Sequence, residues 1–437
     1  MREQAVEDVD VLVVGGGAAG TCAAIQSAAS GAGTMLVEKN GALGGTTTVA
    51  GVALPGLFHA WGRQVIAGIG WDLVCRAVDL AGARLPDFTD WRQPHYRLQV
   101  PVSAPLYAAV LDEAVLGAGV DLRLHTMVGA VESVADGWSV TLCDKEGLRT
   151  VRARRIVDCT GDADVVALAG LTRLRNPALQ PGTLMVRLGG YRMEDLDVAA
   201  LDEAHRRAVA AGDLLPADLS MSERPMARFL RSRGENTIHV TDVDGGTSRT
   251  RTAAEVAARR TLLRIHQFLR RQPGLESVTI DSWAVECGIR ETFTIDGLAR
   301  ITAQDYATGR HWEDAVCNSF YPIDVHSPDG DGITIRPLEF GTVPTIPRSA
   351  MVPKGSRHMM VAGRSVSGDQ EANSAYRVQA SCMAMGQAAG ANAALAAAAG
   401  CDITEVPVVE VHREVRALGA IVPGGTGPVD GEVSVGR

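Results

Sequence analysis

The chain has 437 residues, more than one ordinary hydrophobic core accommodates, so two lobes are expected. Its 46% hydrophobic and 21% charged residues exclude a disordered chain and fit a globular enzyme, and a net charge of -9 excludes the basic footprint of a nucleic-acid partner. The start Met1-Arg2-Glu3-Gln4 leads to no apolar stretch with a cleavage site, and the alanine-rich run 388–399 is too short to span a bilayer, so a cytoplasmic protein without a membrane partner is expected. Eight cysteines with no C-x-x-C spacing point to reduced, buried thiols, and no metal site is expected.

Residues 8–14 form a short apolar run of the kind buried in a parallel sheet. A glycine-rich turn follows at once, then a helix of small residues over 18–30 and a second strand over 34–38. Residues 103–116 predict a helix with Leu106, Val110, Leu111, Ala114 and Val115 on one stripe and Tyr107 in the core; 120–124 predict the next strand. Asp136-Gly137 between the runs 128–134 and 138–142 is a hairpin signal, and 151–159 completes a small β-meander. Residues 171–350 are richer in Arg, Asp and Pro with weaker periodicity, and one amphipathic helix is expected there over 253–270. A buried strand over 359–363 and a long small-residue helix over 380–399 close the chain.

Gly15-x-Gly17-x-x-Gly20 sits between a strand and a helix, with Glu38 at the end of the next strand. In that setting Gly15 permits the tight turn, Gly17 with Ala18 and Ala19 lets backbone N–H groups approach a pyrophosphate, and Gly20 lets helix and strand pack closely. Glu38, with Lys39 beside it, is placed to hydrogen-bond ribose hydroxyls. The fingerprint alone does not separate FAD from NAD. Further glycine-rich stretches favour FAD, because a long dinucleotide with a flavin needs close backbone contacts from both chain ends. They are Gly44-Gly45-Thr46-Thr47, Thr160-Gly161-Asp162, and Ala362-Gly363-Arg364 followed by Gly386-Gln387-Ala388-Ala389-Gly390 in the last helix; Val128 and Arg377-Val378-Gln379 are further candidate cofactor contacts. The N-terminus of that last helix is suited to stabilise an anionic reduced flavin.

These motifs resemble the FAD-dependent oxidoreductase family related to the succinate dehydrogenase and fumarate reductase flavoprotein, within the glutathione-reductase-like fold. The stretches that carry the resemblance are VLVVGGGAAGTCAA, VEKNGALGGTTT, IVDCTGDAD, GIRET, FYPIDVHSPDG, VPKGSRHMMVAGRSVSG and RVQASCMAMGQAAG. The segment 171–275 matches little of the pattern. Phe293-Thr294 replaces a longer basic run after GIRET, and Gly368-Asp369-Gln370-Glu371 replaces a loop that often carries a histidine. The resemblance implies one FAD per chain and a substrate held over the flavin by a cap lobe. The expected fold is α/β: a Rossmann-like FAD-binding domain (parallel sheet plus β-meander) from 1–170 and 351–437, with an α+β substrate or cap domain from 171–350.

With the flavin carrying the redox chemistry, the protein must orient a substrate and move a proton. Arg290 is a candidate anion clamp or stabiliser of developing negative charge, or else a structural ion pair with Glu286, Glu291 or another acid. His59 is a candidate general base or covalent flavin attachment point, or else a packed histidine. Asp324 and His326 alternate onto one strand face as a base and its orienter, or as a structural polar pair. Tyr376 is expected to contact cofactor or substrate. The expected activity is dehydrogenation of a small-molecule metabolite by hydride transfer to FAD, with oxygen, a quinone or another carrier reoxidising the flavin. An NAD(P)H-dependent reductase or monooxygenase and a non-catalytic FAD-binding subunit are the alternatives; no second G-x-G-x-x-G unit is found. A homo-oligomer is left open.

Overall fold

The computed structural model describes residues 6–219, 224–241, 243–328 and 332–424; Met1-Arg2-Glu3-Gln4, from which no leader is expected, lies outside them. Strand β1 (Glu7–Val14) ends in four fully buried residues, Val11 to Val14. They need no polar alternation, because parallel neighbours flank the strand and both sheet faces are covered. Gly15 then turns the chain with φ +99°, and a Cβ there would lie 2.5 Å from the Cys159 carbonyl oxygen. Helix α1 (Ala18–Ala29) follows, and β2 (Thr34–Val37) pairs parallel to β1 in the register Val11↔Thr34. Helix α2 (Ala104–Gly117) leads into β3 (Asp121–Arg123), which pairs parallel to β2. Its buried stripe holds Tyr107, Val110, Leu111 and Val115, while Leu106 stands on the surface.

The Asp136-Gly137 turn joins β4 (Met127–Val134) to β5 (Gly137–Asp144), and β6 (Gly147–Asp158) runs back along β5. β6 begins four residues before the apolar run that announces it. Its early residues pair antiparallel with β5, and from Val151 it also pairs parallel with β1. The meander is therefore continuous with the parallel sheet.

A second cluster of buried apolar residues gathers Leu184 to Ile289. Short antiparallel pairs build it: Gly182–Leu184 with Ile238–Val240, and Val186–Gly189 with Thr279–Trp283. Helix α3 (Ser248–Leu269) covers them. It starts five residues before the periodic stretch, because Thr247 and Thr250 form a reciprocal capping box. Ile301, Tyr306, Val316, Phe320, Ile346 and Met351 pack instead into the first cluster, with α1.

The chain then returns through β7 (Met359–Val361), the short helix α4 (Gln370–Tyr376) and α5 (Gln379–Ala399). β7 pairs with β6, giving a seven-stranded sheet in the order β3-β2-β1-β6-β5-β4 with β7 also beside β6. α5 lies along α1, and the approach is set by glycine. A Cβ on Gly386 would sit 2.7 Å from the Ala19 carbonyl carbon, and one on Gly390 would sit 2.9 Å from that of Ala23. The fully buried Arg155 of β6 closes the far end of α5, donating to the carbonyls of Ala396 at 3.2 Å and Cys401 at 2.5 Å. All eight cysteines are unpaired, but Cys143 is exposed rather than buried. Among the described residues, no helix is long and apolar enough to cross a membrane.

Candidate active site

One cavity of about 410 Å³ runs from the glycine turn to the junction with the second lobe. Gly15, Gly17, Ala18, Ala19, Glu38, Lys39, Gly45, Thr46, Val128, Thr160, Gly161, Asp162, Gly363, Arg364, Arg377, Val378 and Gln379 all line it. Gly20, Gly44 and Thr47 stand one layer behind. Gly20 packs against Gly15, so that a Cβ would press on the Cys159 side chain at 3.1 Å. Gly44, at φ +101°, donates its N–H to the Gly16 carbonyl at 2.8 Å, and the Thr47 hydroxyl donates to Gln379 Oε1. The loop 44–47 is thus tied both to the glycine turn and to the start of α5.

Two helix N-termini open on this cavity. Gly17 caps α1 without a side chain, and a Cβ there would meet nothing within 4 Å. Val378 caps α5, also without a side-chain hydrogen bond. First-turn N–H groups left without intrahelical acceptors, at the positive end of a helix, form an anion cradle. Glu38 does more than wait for a ribose: its carboxylate accepts the Gly16 N–H at 2.6 Å and the Asn40 N–H at 2.8 Å. It fixes the glycine turn, and burial raises its pKa although both N–H groups lower it. This fits a dinucleotide with its pyrophosphate at α1 and its ribose at the end of β2.

Arg364 locks the two lobes around the cavity. It donates to the Gly161 carbonyl at 2.8 Å and the Ile289 carbonyl at 2.7 Å, and pairs with Asp162 at 2.5 Å. Asp162 also accepts from the Thr292 hydroxyl at 2.6 Å; despite burial, which acts the other way, Arg364 and Thr292 bring its pKa below the ordinary carboxylate value.

The polar end of the cavity carries Arg290, Asp324 and His326, joined by Arg377, Tyr321, Gln99 and Thr183. Arg290 does not pair with Glu286 or Glu291. It donates to the Pro181 carbonyl at 2.6 Å, while Glu286 bonds Arg251 at 2.8 Å and Glu291 accepts from Asn176, Gln180 and Gln370. Burial, and then the charge of Arg377, push the Arg290 guanidinium down to about 9. Asp324 Oδ1 lies 3.6 Å from His326 Nε2. Burial raises the Asp324 carboxyl against the pull of Arg377 and Arg290, and it drives His326 down to about 2, helped by both arginines. His326 is a neutral ring across the physiological range. Asp324 and His326 do sit on one strand, Ile323–His326, paired with Ile333–Arg336.

Two expected site residues lie elsewhere. His59 stacks on Phe88 at 3.8 Å between centroids and meets Trp71 edge-on; it is buried beside the aromatic side chains and does not line the cavity. Tyr376 is fully buried on α4, with its hydroxyl donating to the Val366 carbonyl at 2.8 Å. Its neighbour Arg377, one position on, is the residue that reaches the cavity. Sequence reasoning missed Gln180. This buried amide donates to Glu291 at 2.6 Å and accepts from the His326 N–H at 3.0 Å and Arg377 Nη2 at 3.1 Å. No local pattern marks it, since all three partners are more than a hundred residues away. Arg251 and Glu255 are an i,i+4 pair legible on α3, but the pairing alone does not show that Arg251 faces the cavity.

Against this geometry, the profile of the FAD dependent oxidoreductase family matches residues 10–415, and the chain belongs to that family. Its cofactor is FAD. A search of curated proteins gave no match. Among solved structures, the chain is similar to a geranylgeranyl bacteriochlorophyll reductase-like protein from Thermoplasma acidophilum, at 12% identity over 94% of this chain and 83% of that one, with a TM-score of 0.44. It is also similar to the anhydrotetracycline hydroxylase OxyS from Streptomyces rimosus, at 20% identity over 42% of this chain and 38% of that one, TM-score 0.30. A glycine oxidase from Geobacillus kaustophilus matches at 19% identity over 42% of this chain and 63% of that one, TM-score 0.28. The hydroxylase and the glycine oxidase are each matched over less than two thirds of their own length.

Proposed function

We propose that the protein is a dehydrogenase or oxidase that removes a hydride from a small-molecule metabolite. One observation carries this reading: the FAD cradle and a cluster of titratable side chains share a single cavity. When bound, FAD supplies the two-electron acceptor, and the remaining work falls to side chains. Arg290 and Arg377 orient the substrate at the polar end. Asp324 Oδ1, which has no hydrogen-bond partner among the described residues, accepts the proton that leaves as the hydride departs. His326 stands 3.6 Å from that oxygen as a neutral ring. Arg364 and Asp162 close the lobe junction and restrict water. The substrate would thus lose one hydride, which bound FAD would accept, and one proton, taken by Asp324; reoxidation would need a separate acceptor such as oxygen or a quinone.

The test is anaerobic titration of the FAD-loaded protein with single metabolites while the flavin absorption band is followed. Bleaching by one metabolite, slowed by Asp324→Asn with FAD still bound, is the expected result. Bleaching by NADH or NADPH alone would replace this reading with a reductase or monooxygenase.

A further inference from the structure

Gln180 is a buried amide set between two opposite charges, and its two ends do different work. Nε2 donates to Glu291 Oε2 at 2.6 Å, while Oε1 accepts the His326 N–H at 3.0 Å and Arg377 Nη2 at 3.1 Å. Glu291 is buried too, and among the described residues no cation bonds to it. Asn176, Gln180 and Gln370 hold its two oxygens, all through neutral amides. Arg377 makes no ion pair with Glu291 among the described residues; its other bonds run to the carbonyls of Arg290 at 2.8 Å and Asp324 at 3.5 Å.

A guanidinium and a carboxylate separated by one amide would close into a bidentate pair if that amide were gone. The charge of Glu291 already reaches Arg377: burial lowers the Arg377 pKa, and Asp324 first and Glu291 after it act the other way. Asp324 is the counter-ion that faces Arg377 and Arg290 at the cavity, whereas Glu291 meets Arg377 through Gln180. Few side chains suit this position. One atom must accept two N–H groups and another must donate to a carboxylate, which an amide does and a hydrocarbon does not. Lysine or arginine would pair with Glu291 and repel Arg377. Glutamate would face Glu291 across 2.6 Å, and one of the two would have to hold a proton. The next residue works alongside: the Pro181 carbonyl accepts from Arg290 at 2.6 Å, so two consecutive residues fix both guanidiniums.

We propose that Gln180 is a positioning residue whose amide keeps Arg377 from closing onto Glu291 and leaves the guanidinium charge turned to the FAD cavity. Arg377 lines that cavity and directly precedes the N-terminus of α5, so its charge adds to the positive end of that helix. A cation beside the flavin favours the reduced, anionic form over the oxidised one. An Arg377 drawn onto Glu291 would lose that influence. The inference needs bound FAD and does not need the dehydrogenase reading.

The test measures the midpoint potential of FAD in the full-length chain by equilibration with a reference dye and a chemical reductant, so no substrate is required. Gln180→Met keeps the side-chain length and removes both amide functions. It should lower the potential by the equivalent of roughly tenfold in the oxidised-to-reduced ratio, about 30 mV for a two-electron couple. Adding Glu291→Gln removes the competing carboxylate and should restore the potential, whereas Glu291→Gln alone should raise it by much less. A potential unchanged in Gln180→Met, whatever its melting temperature, would overturn the proposal. So would a lowered potential that Glu291→Gln raises no further than it raises that of the natural chain. Should Gln180→Met not fold, Gln180→Asn, one methylene too short to reach both partners, carries the same prediction. A flavin that no metabolite bleaches would remove the dehydrogenase reading and leave these potentials measurable.

Discussion

Replacing Gly386 by alanine tests how the cofactor cradle is held. The new Cβ would lie 2.7 Å from the Ala19 carbonyl carbon and 2.8 Å from its Cα. The Ala19 carbonyl oxygen lies closer still, and ordinary carbon–carbon contact begins near about 3.5 Å, so α1 and α5 must part by more than roughly 1 Å. Backbone atoms are the obstacle, so no rotamer change relieves the clash, and the cost belongs at the upper end of overpacking, about 3 kcal/mol. Alanine returns about 1 kcal/mol through helix propensity, leaving a net loss of about 2 kcal/mol. Ala19 lies in the first turn of α1, the proposed pyrophosphate cradle, so a displaced turn should also weaken FAD binding at least about tenfold. Urea unfolding gives the first quantity and flavin fluorescence titration the second. Gly117→Ala is the control: that glycine ends α2 with nothing within 4 Å of a Cβ, and the substitution should be neutral or mildly stabilising. A Gly386→Ala protein as stable as the natural chain, with the same FAD affinity, would refute the claim that backbone contact between α1 and α5 holds the cradle in place.

Gly17→Ala should leave stability nearly unchanged, since its Cβ has open space, yet reduce FAD affinity by roughly tenfold or more by filling the cradle; equal FAD binding would contradict the placement of the pyrophosphate. Stability should also fall on acidification. Burial holds His59 at about 4, His239 at about 3 and His326 at about 2, against an ordinary 6.5. The folded rings stay neutral while the unfolded chain takes up protons below 6.5. The stabilisation is complete above that pH and is lost downward at about 1.4 kcal/mol per unit for each ring until its folded value is reached. His59→Phe keeps the ring contact with Phe88 and should lose one ring's share of the slope between about pH 7.5 and pH 5 in urea midpoints; an unchanged slope counts against it.

The first forty residues are legible because each local signal agrees with the global fold. The apolar run, the glycine turn and Glu38 all belong to one β-α-β unit with contacts close in sequence. The hairpin at Asp136-Gly137 is legible for the same reason. The second apolar cluster is not, because its strands are three to five residues long and pair across gaps of fifty or more, as Gly182–Leu184 does with Ile238–Val240. At the site, Arg290, Asp324 and His326 were readable as residue types, whereas Gln180 acquires its meaning only from three distant partners. Tyr376 shows the limit of position along the chain. It is adjacent to a cavity residue, but on a helix the next position points about 100° away, and Tyr376 faces Val366 in the core.

Helix α5 has a further consequence, in conformational entropy. Eleven alanines and two glycines occupy its 21 residues, and 17 of the 21 are buried. Those thirteen side chains have no rotamers to surrender on folding, where a leucine-rich helix would give up about 0.5–1 kcal/mol at each. The helix gains little from apolar area and loses little in freedom. Its placement is therefore decided by backbone contact with α1, and the two helix N-termini that open on the cavity are set by a contact with almost no side-chain degrees of freedom.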